Sequence, residues 1–298
     1  MKKTVAVVVT FNRKELLRRN LAALLSQTHS DLDIMIIDNA STDGTREYVD
    51  DIVKENNITY VCLKENIGGA GGFNYGIKKA AEDKYDYIWL MDDDTIPEPD
   101  ALEKLFCADA LVGGSYGFLS GMALWRDGTP CRMNRQKLIA YRPADSDEIK
   151  KKLIRTNYAT FVSFFLKAET VKKVGLPIKE FFIWGDDVEY STRIADHFDC
   201  YVVKDSIVLH DTQNNAGSDI VKDDSGRLMR YRFAYRNEVY IAKKRGFFAV
   251  VRQLAKILYH TLRIVFISKG NRIEKLKIVI KSSFEGISFN PSVEHVKD

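Results

Sequence analysis

Tyr87-Ile88-Trp89-Leu90-Met91-Asp92-Asp93-Asp94 decides how the chain is read. Five consecutive large apolar residues mark a short strand buried on both faces, and the strand ends abruptly in three carboxylates. Working backwards, Thr4–Thr10 (TVAVVVT), Ile34–Asp38 (IMIID) and Ile58–Leu63 read as strands of the same kind. Helical stretches separate them: Lys14–Gln27, with Leu16, Leu17, Leu21, Leu24 and Leu25 at helical spacing, Asp43–Glu55, entered through Ser41 and Thr42, and Gly71–Asp83, preceded by a glycine-rich turn. This alternation predicts βαβ units, hence an α/β chain with a mostly parallel sheet flanked by helices. In such sheets ligands bind outside the carboxyl ends of the strands, where the three aspartates fall.

Working forwards, Phe118–Trp125 and Ala159–Leu166 predict strands, and Ala168–Val174 a short helix closed by Gly175 and Pro177. Asp186–His197 predicts a helix with an acidic first turn, and Cys200–Leu209 a strand ending at His210-Asp211. Residues 211–224, rich in Asn, Asp, Ser and Gly, read as a mobile loop, and from Arg227 onward the pattern is helical and basic. A length of 298 residues with 45% apolar and 29% charged residues suits one large domain plus an extension. It excludes a disordered chain, a collagen and a disulfide-knotted miniprotein. The expected division is a main domain over 1–226, with halves at about 1–95 and about 96–226, and a helical extension over 227–298. Cys62, Cys107, Cys131 and Cys200 form no CxxC spacing and read as reduced thiols of a cytosolic protein. The start of the chain lacks a signal-peptide cleavage pattern, and no segment has eighteen uninterrupted apolar residues.

Four features carry chemistry. Adjacent carboxylates repel, so Asp92-Asp93-Asp94 at a strand end calls for a cation; oxygen ligands suit Mg²⁺ or Mn²⁺ and phosphate-bearing substrates. The bland alternative is a solvated acidic turn. Asn66-Ile67-Gly68-Gly69-Ala70-Gly71-Gly72-Phe73-Asn74 offers exposed amides at a helix N-terminus for phosphate, or simply a flexible turn. It is neither GxGxxG nor a GxxxxGK[ST] loop. Trp184-Gly185-Asp186-Asp187-Val188-Glu189 opens a helix with acids that suit either catalysis or the helix dipole. His210 closes a strand and gains meaning only from its neighbours. Together these make a metal-binding acid turn, a phosphate cradle, a spare carboxylate and a late histidine.

In this order the motifs VVVTFNR, IIDNASTDGT, ENIGGAGGFN, DDD, WGDDVEY and the closing histidine resemble the family 2 glycosyltransferases of the GT-A fold, over roughly residues 3–245. The glycine turn with DDD and the tryptophan-led acid pair looks most like bacterial galactofuranosyltransferases, with rhamnosyltransferases as near neighbours; Gly185 departs from the pattern by separating Trp184 from the pair. The resemblance implies a Rossmann-like sheet, an inverting hexosyltransferase, a UDP-sugar donor, Mn²⁺ or Mg²⁺, and a glycan or lipid-linked saccharide acceptor. It places Thr10, Asn12, Arg13, Asp38, Asn66, Gly68, Gly69, Ala70, Asp92 and Asp93 on the nucleotide-sugar, with Asp38 accepting from the uracil imide. Asp92, Asp94 and His210 would hold the metal, Asp187 would be the base beside Asp186, and Trp184 and Glu189 would shape the acceptor pocket. Other donors, such as dTDP-rhamnose or UDP-glucose, are the nearest alternatives; a non-catalytic nucleotide-sugar-binding scaffold and a metal-dependent phosphohydrolase are alternatives of other classes.

The formal charge of +4 hides an asymmetry: residues 1–240 carry 33 basic and 37 acidic residues, and residues 241–298 carry 12 and 4. Over 243–281, eleven Lys or Arg and the single acid Glu274 interleave with Phe247, Phe248, Val251, Leu254, Leu258, Leu262 and Phe266. That pattern predicts one cationic amphipathic helix, or two around Ser268–Asn271, lying on an anionic membrane or against a second copy of the chain. No nucleic-acid motif accompanies the charge, so nucleic acid is not an expected partner. The expected location is the cytoplasm, with peripheral attachment to the inner face of the cell membrane.

Overall fold

The computed structural model describes residues 2–53, 58–134, 136–143, 145–223 and 225–296. The amino-terminal half alternates as expected: β1 (Thr4–Thr10), α1 (Lys14–Leu25), β2 (Leu32–Asp38), α2 (Thr45–Val53), β3 (Ile58–Cys62), α3 (Gly68–Glu82) and β4 (Tyr87–Asp92). Residues 54 and 55 of the predicted second helix lie outside the described residues. The β-branched and large apolar side chains of β1 and β4 are buried on both faces, so each strand needs a helix layer on either side. β1 lies between β2 and β4 and β2 beside β3, all parallel, so the carboxyl ends of these strands share one edge.

Beyond β4 the sheet becomes mixed. β5 (Thr95–Pro97), α4 (Ala101–Leu111), β6 (Phe118–Leu124), α5 (Asp147–Lys152), β7 (Leu153–Thr156), β8 (Phe164–Lys167), α6 (Ala168–Val174), α7 (Asp186–Ala195) and β9 (Cys200–His210) follow. The order across the sheet is β3-β2-β1-β4-β8-β6-β9-β5, with β7 also on β9. Two large apolar clusters fill the layers, one packed around Trp89, Leu17 and Phe165, the other around Phe73, Phe164 and Tyr190.

Two local expectations are corrected, and three short elements are added. Ala159–Leu166 is not one strand: Ser163 has φ +64°, outside the extended region, so only Phe164–Lys167 pairs with β4 and β6. Ser163 is fixed there by the buried indole of Trp89, whose Nε1 donates to its Oγ at 3.0 Å. The glycines lie within α3 rather than before it. A Cβ on Gly72 would come within 2.6 Å of Val9, and one on Gly76 within 2.4 Å of Val7, so the small residues let α3 sit close on β1. β5, β7 and α5 are too short for their periodicity to stand out in the sequence.

The extension folds as α8 (Ser225–Arg245), α9 (Phe247–Ile267) and α10 (Arg272–Ser288). The break at residues 268–271 falls where the two-helix reading put it. The three helices pack on one another around Tyr231, Tyr235, Ile264, Ile278 and Val279. Tyr240 of α8 packs with Phe181 and Ala70 of the α/β body. Among the described residues no helix is long and apolar enough to cross a membrane.

Candidate active site

Strand register assembles the acid turn and the histidine. β5 pairs antiparallel with the end of β9, setting Thr95 opposite His210. The Asp211 amide donates to the Asp94 carbonyl at 2.8 Å. As a result His210 Nε2 lies 3.1 Å from Asp94 Oδ1. The other ring nitrogen faces Asn134 Oδ1 at 2.6 Å, and Asn134 Nδ2 donates to Thr160 Oγ1 at 2.7 Å, which orients the amide. A proton held on Nδ1 by Asn134 leaves Nε2 to face Asp94. From the other side α1 braces the turn: Asn20 Nδ2 donates to the Thr95 carbonyl at 2.6 Å.

Asp92 and Asp94 line a cavity of about 590 Å³ with His210, Asn134, Trp184, Asp186 and Asp187. That volume is within the range of small-molecule sites. Asp93 turns away from it: its Oδ2 accepts from Thr10 Oγ1 at 2.8 Å and its Oδ1 from Arg13 at 3.2 Å. Arg13 also donates to Asp94 Oδ2 at 2.8 Å. Burial and the mutual repulsion of the three acids push Asp92 up to about 8, and burial pushes Asp93 up to about 6. Asp94 ends below the usual carboxylate range, because His210 and Arg13 outweigh its burial. Burial opposes the charge of His210, yet Asp94, Cys131 and Asp92 together raise its pKa to about 10.

The donor set partly fits a divalent cation. Asp94 Oδ1 is buried with no hydrogen-bond donor aligned on it. Its 3.1 Å separation from Nε2 matches the ~3 Å edge between neighbouring ligands of an ion bound at ~2.1 Å. Asp92 shares the cavity, but among the described residues no three His, Cys, Asp or Glu side chains close into a metal cluster. The expected triad is therefore a pair, Asp94 and His210, with Asp92 nearby.

The opposite acids enter through a constrained turn. Phe182, Trp184 and Gly185 all have positive φ, and Gly185 at +89° starts α7, whose first two residues are Asp186 and Asp187. The inserted Gly185 thus supplies the left-handed step that lets Trp184 line the cavity beside the acid pair. Trp184 packs edge-on against Tyr231 of α8 at 5.0 Å. Asp186 is buried, which raises its pKa strongly, with Asp187 adding to the effect. Burial lifts Asp187 to about 6 against the Val188 amide, which donates to its Oδ1 at 2.7 Å.

Several expected residues take other places. Asp38 is fully buried, its oxygens accepting from the Ser41 amide at 2.8 Å and the Tyr60 hydroxyl at 2.6 Å, so it braces the loop after β2 rather than facing a ligand. Glu189 points away from the cavity and grips Arg193 through both oxygens, at 2.8 and 2.9 Å. Asn12 and Asn66 are exposed and hold loops: Asn12 Oδ1 accepts from the Thr42 amide and Asn66 Oδ1 from the Gly68 amide. The Ala70 amide donates to the Phe182 carbonyl at 3.1 Å, and a Cβ on Gly68 would sit 2.1 Å from that same oxygen. The Gly68 amide is therefore taken by Asn66 and the Ala70 amide by Phe182; of Asn66, Gly68, Gly69 and Ala70, only Gly69 lines the cavity. Asn134, Arg227, Arg230 and Asn237 were not singled out by the sequence.

Comparison with known proteins agrees with this architecture. Residues 5–121 match the family model described as glycosyl transferase family 2. Galactofuranosyltransferase GlfT1 of Mycolicibacterium smegmatis is 32% identical over 199 residues, which is 64% of this chain and 64% of that protein. GlfT1 of Mycobacterium tuberculosis is 28% identical over 307 residues, covering 91% of this chain and 96% of the relative. The crystal structure of GalNAc-T7 with UDP, GalNAc and Mn²⁺ superposes with a TM-score of 0.63 at 14% identity, over 95% of this chain and 54% of that one. The last likeness is one of fold, and the fold is GT-A.

Proposed function

We propose that this chain, a glycosyltransferase whose residues 5–121 carry the family 2 domain, moves galactofuranose from UDP-galactofuranose to a hydroxyl of a cell-surface glycan or lipid-linked saccharide, with inversion. The observation that carries the reading is the meeting, in one cavity, of Asp94 and His210 with Asp186 and Asp187. The choice of sugar rests on the likeness to GlfT1.

Asp94 and His210 would hold Mn²⁺ or Mg²⁺, which would supply positive charge to offset that of the leaving group. The protein residues do the rest. Asn134 fixes the His210 ring, and Arg13 balances the acid turn. Asp187 takes the proton of the acceptor hydroxyl as that oxygen attacks the anomeric carbon. A single displacement needs a single base, and it inverts configuration. Trp184 offers an aromatic face to the acceptor sugar.

The basic extension is the docking part in this reading. α9 is amphipathic in the unusual sense: Lys256 is spent on Glu238 of α8 and Arg263 on Asp219, while its apolar stripe faces outward. We take its partner to be an anionic membrane surface on the cytoplasmic side, which would bring a lipid-linked acceptor to the cavity, with residues 1–226 as the catalytic part.

The test is donor turnover. With Mn²⁺, the chain should release UDP slowly from UDP-galactofuranose and faster when a galactan-type acceptor is added. Release from dTDP-rhamnose or UDP-glucose instead would move the assignment to that donor. Binding of the nucleotide-sugar without release or transfer would leave a scaffold.

A further inference from the structure

Arg227 and Arg230 lie on the first turns of α8, outside the segment that matches the family model. Their i, i+3 spacing puts them on one helix face, and both line the same cavity as Asp94, His210 and Arg13. Arg13 is committed to Asp93 and Asp94. Among the described residues the side chains of Arg227 and Arg230 have neither an ion pair nor a hydrogen bond. Two unneutralised guanidinium groups side by side at a cavity wall repel each other. The guanidinium fork matches phosphate oxygens two at a time.

We propose that Arg227 and Arg230 form a diphosphate grip for the nucleotide-sugar, supplied by the C-terminal helix. The inference rests on reading this cavity as the donor site. When the bond from the anomeric carbon to the phosphate oxygen breaks, its electron pair passes to that oxygen. The acceptor oxygen makes the new bond and its proton goes to Asp187. The two guanidinium groups would face the charge that develops on the departing diphosphate, and they need no reorganisation to do so.

Calorimetry with UDP and with uridine, each with and without Mn²⁺, tests the grip. Arg227→Ala/Arg230→Ala should weaken UDP roughly 10- to 100-fold, the loss of one or two charge-assisted hydrogen bonds. Uridine binding should be unchanged, which also shows that the variant is folded. Arg227→Lys/Arg230→Lys should recover part of the loss. Arg230→Gln, at an exposed position, serves if the double variant does not fold. Equal UDP affinity in wild type and variants overturns the grip, as does a loss confined to the KM of a diphosphate-bearing acceptor. Wild-type protein that binds no UDP at all would overturn the donor reading and the grip with it.

Discussion

Asp187 sits where burial disfavours its charge, and the Val188 amide only partly restores it, leaving a pKa of about 6. A carboxylate so placed is mostly ionised at neutral pH yet more basic than a free one, as a general base should be. The base acts in its ionised form, so acidification removes it. The chemical step should therefore rise with pH through about 6 and level off above. Asp187→Asn should keep UDP affinity and lose roughly 10²- to 10⁴-fold in transfer. Turnover at the wild-type rate, or a pH profile flat across that region, would remove Asp187 from the role. Asp94→Ala should abolish the effect of Mn²⁺ on UDP affinity, and an unchanged effect would count against the Asp94–His210 pair.

At the scale of elements, what could be read in advance follows periodicity. The βαβ run, the acid turn at the end of β4 and the histidine at the end of β9 were legible, because strand patterning and strand ends are local properties. The direction a side chain takes at those ends is not local. Asp38 turns inward because Tyr60 and Ser41 satisfy it there, and Glu189 turns outward to Arg193 one helical turn on. The i, i+4 spacing of Glu189 and Arg193 was a signal available in the sequence. Nothing in the α8 sequence marks the face bearing Asn237, fully buried, whose Nδ2 donates to the carbonyls of Phe181, Ile183 and Trp184 at 3.0, 3.3 and 2.8 Å. Those carbonyls belong to the turn that carries Trp184 and Gly185 into the cavity and starts α7. Asn237→Ala removes the side-chain donor these carbonyls share, leaving the Phe181 oxygen its Arg236 and Ile183 partners, at a cost of about 1–3 kcal/mol. The expected result is a lowered kcat and a raised acceptor KM with UDP affinity intact. If the acceptor parameters stay at wild-type values while Tm falls, Asn237 only stabilises the helix packing.

The whole molecule presents one face that its own fold leaves unsatisfied. Along α9, Phe247, Val251, Leu254, Leu258, Leu262 and Val265 recur at helical spacing and are all exposed, and Phe248 is 83% exposed. A helix buried in a core would turn this stripe inward; here the inward side carries Gln253, Lys256, His260 and Arg263, bound to Glu238, Tyr235 and Asp219. Apolar stripes of this length on a monomer mark an interaction surface. α9 contains no acid, and Arg252, Lys269, Arg272, Lys277 and Lys281 are exposed on α9, the connection and α10. Like-charged fringes disfavour pairing of two such faces, whereas an anionic bilayer attracts each basic residue by about 1 kcal/mol and takes up the aromatic side chains. The protein should co-sediment with phosphatidylglycerol-rich vesicles, far less with phosphatidylcholine alone, and more weakly as salt rises. Phe248→Glu/Leu254→Glu/Leu258→Glu should abolish retention and leave transfer to a soluble acceptor intact, because these side chains are remote in sequence from every cavity residue and exposed. A stable dimer in solution that the same substitutions dissociate, with no retention on vesicles, would assign the face to a second copy of the chain instead.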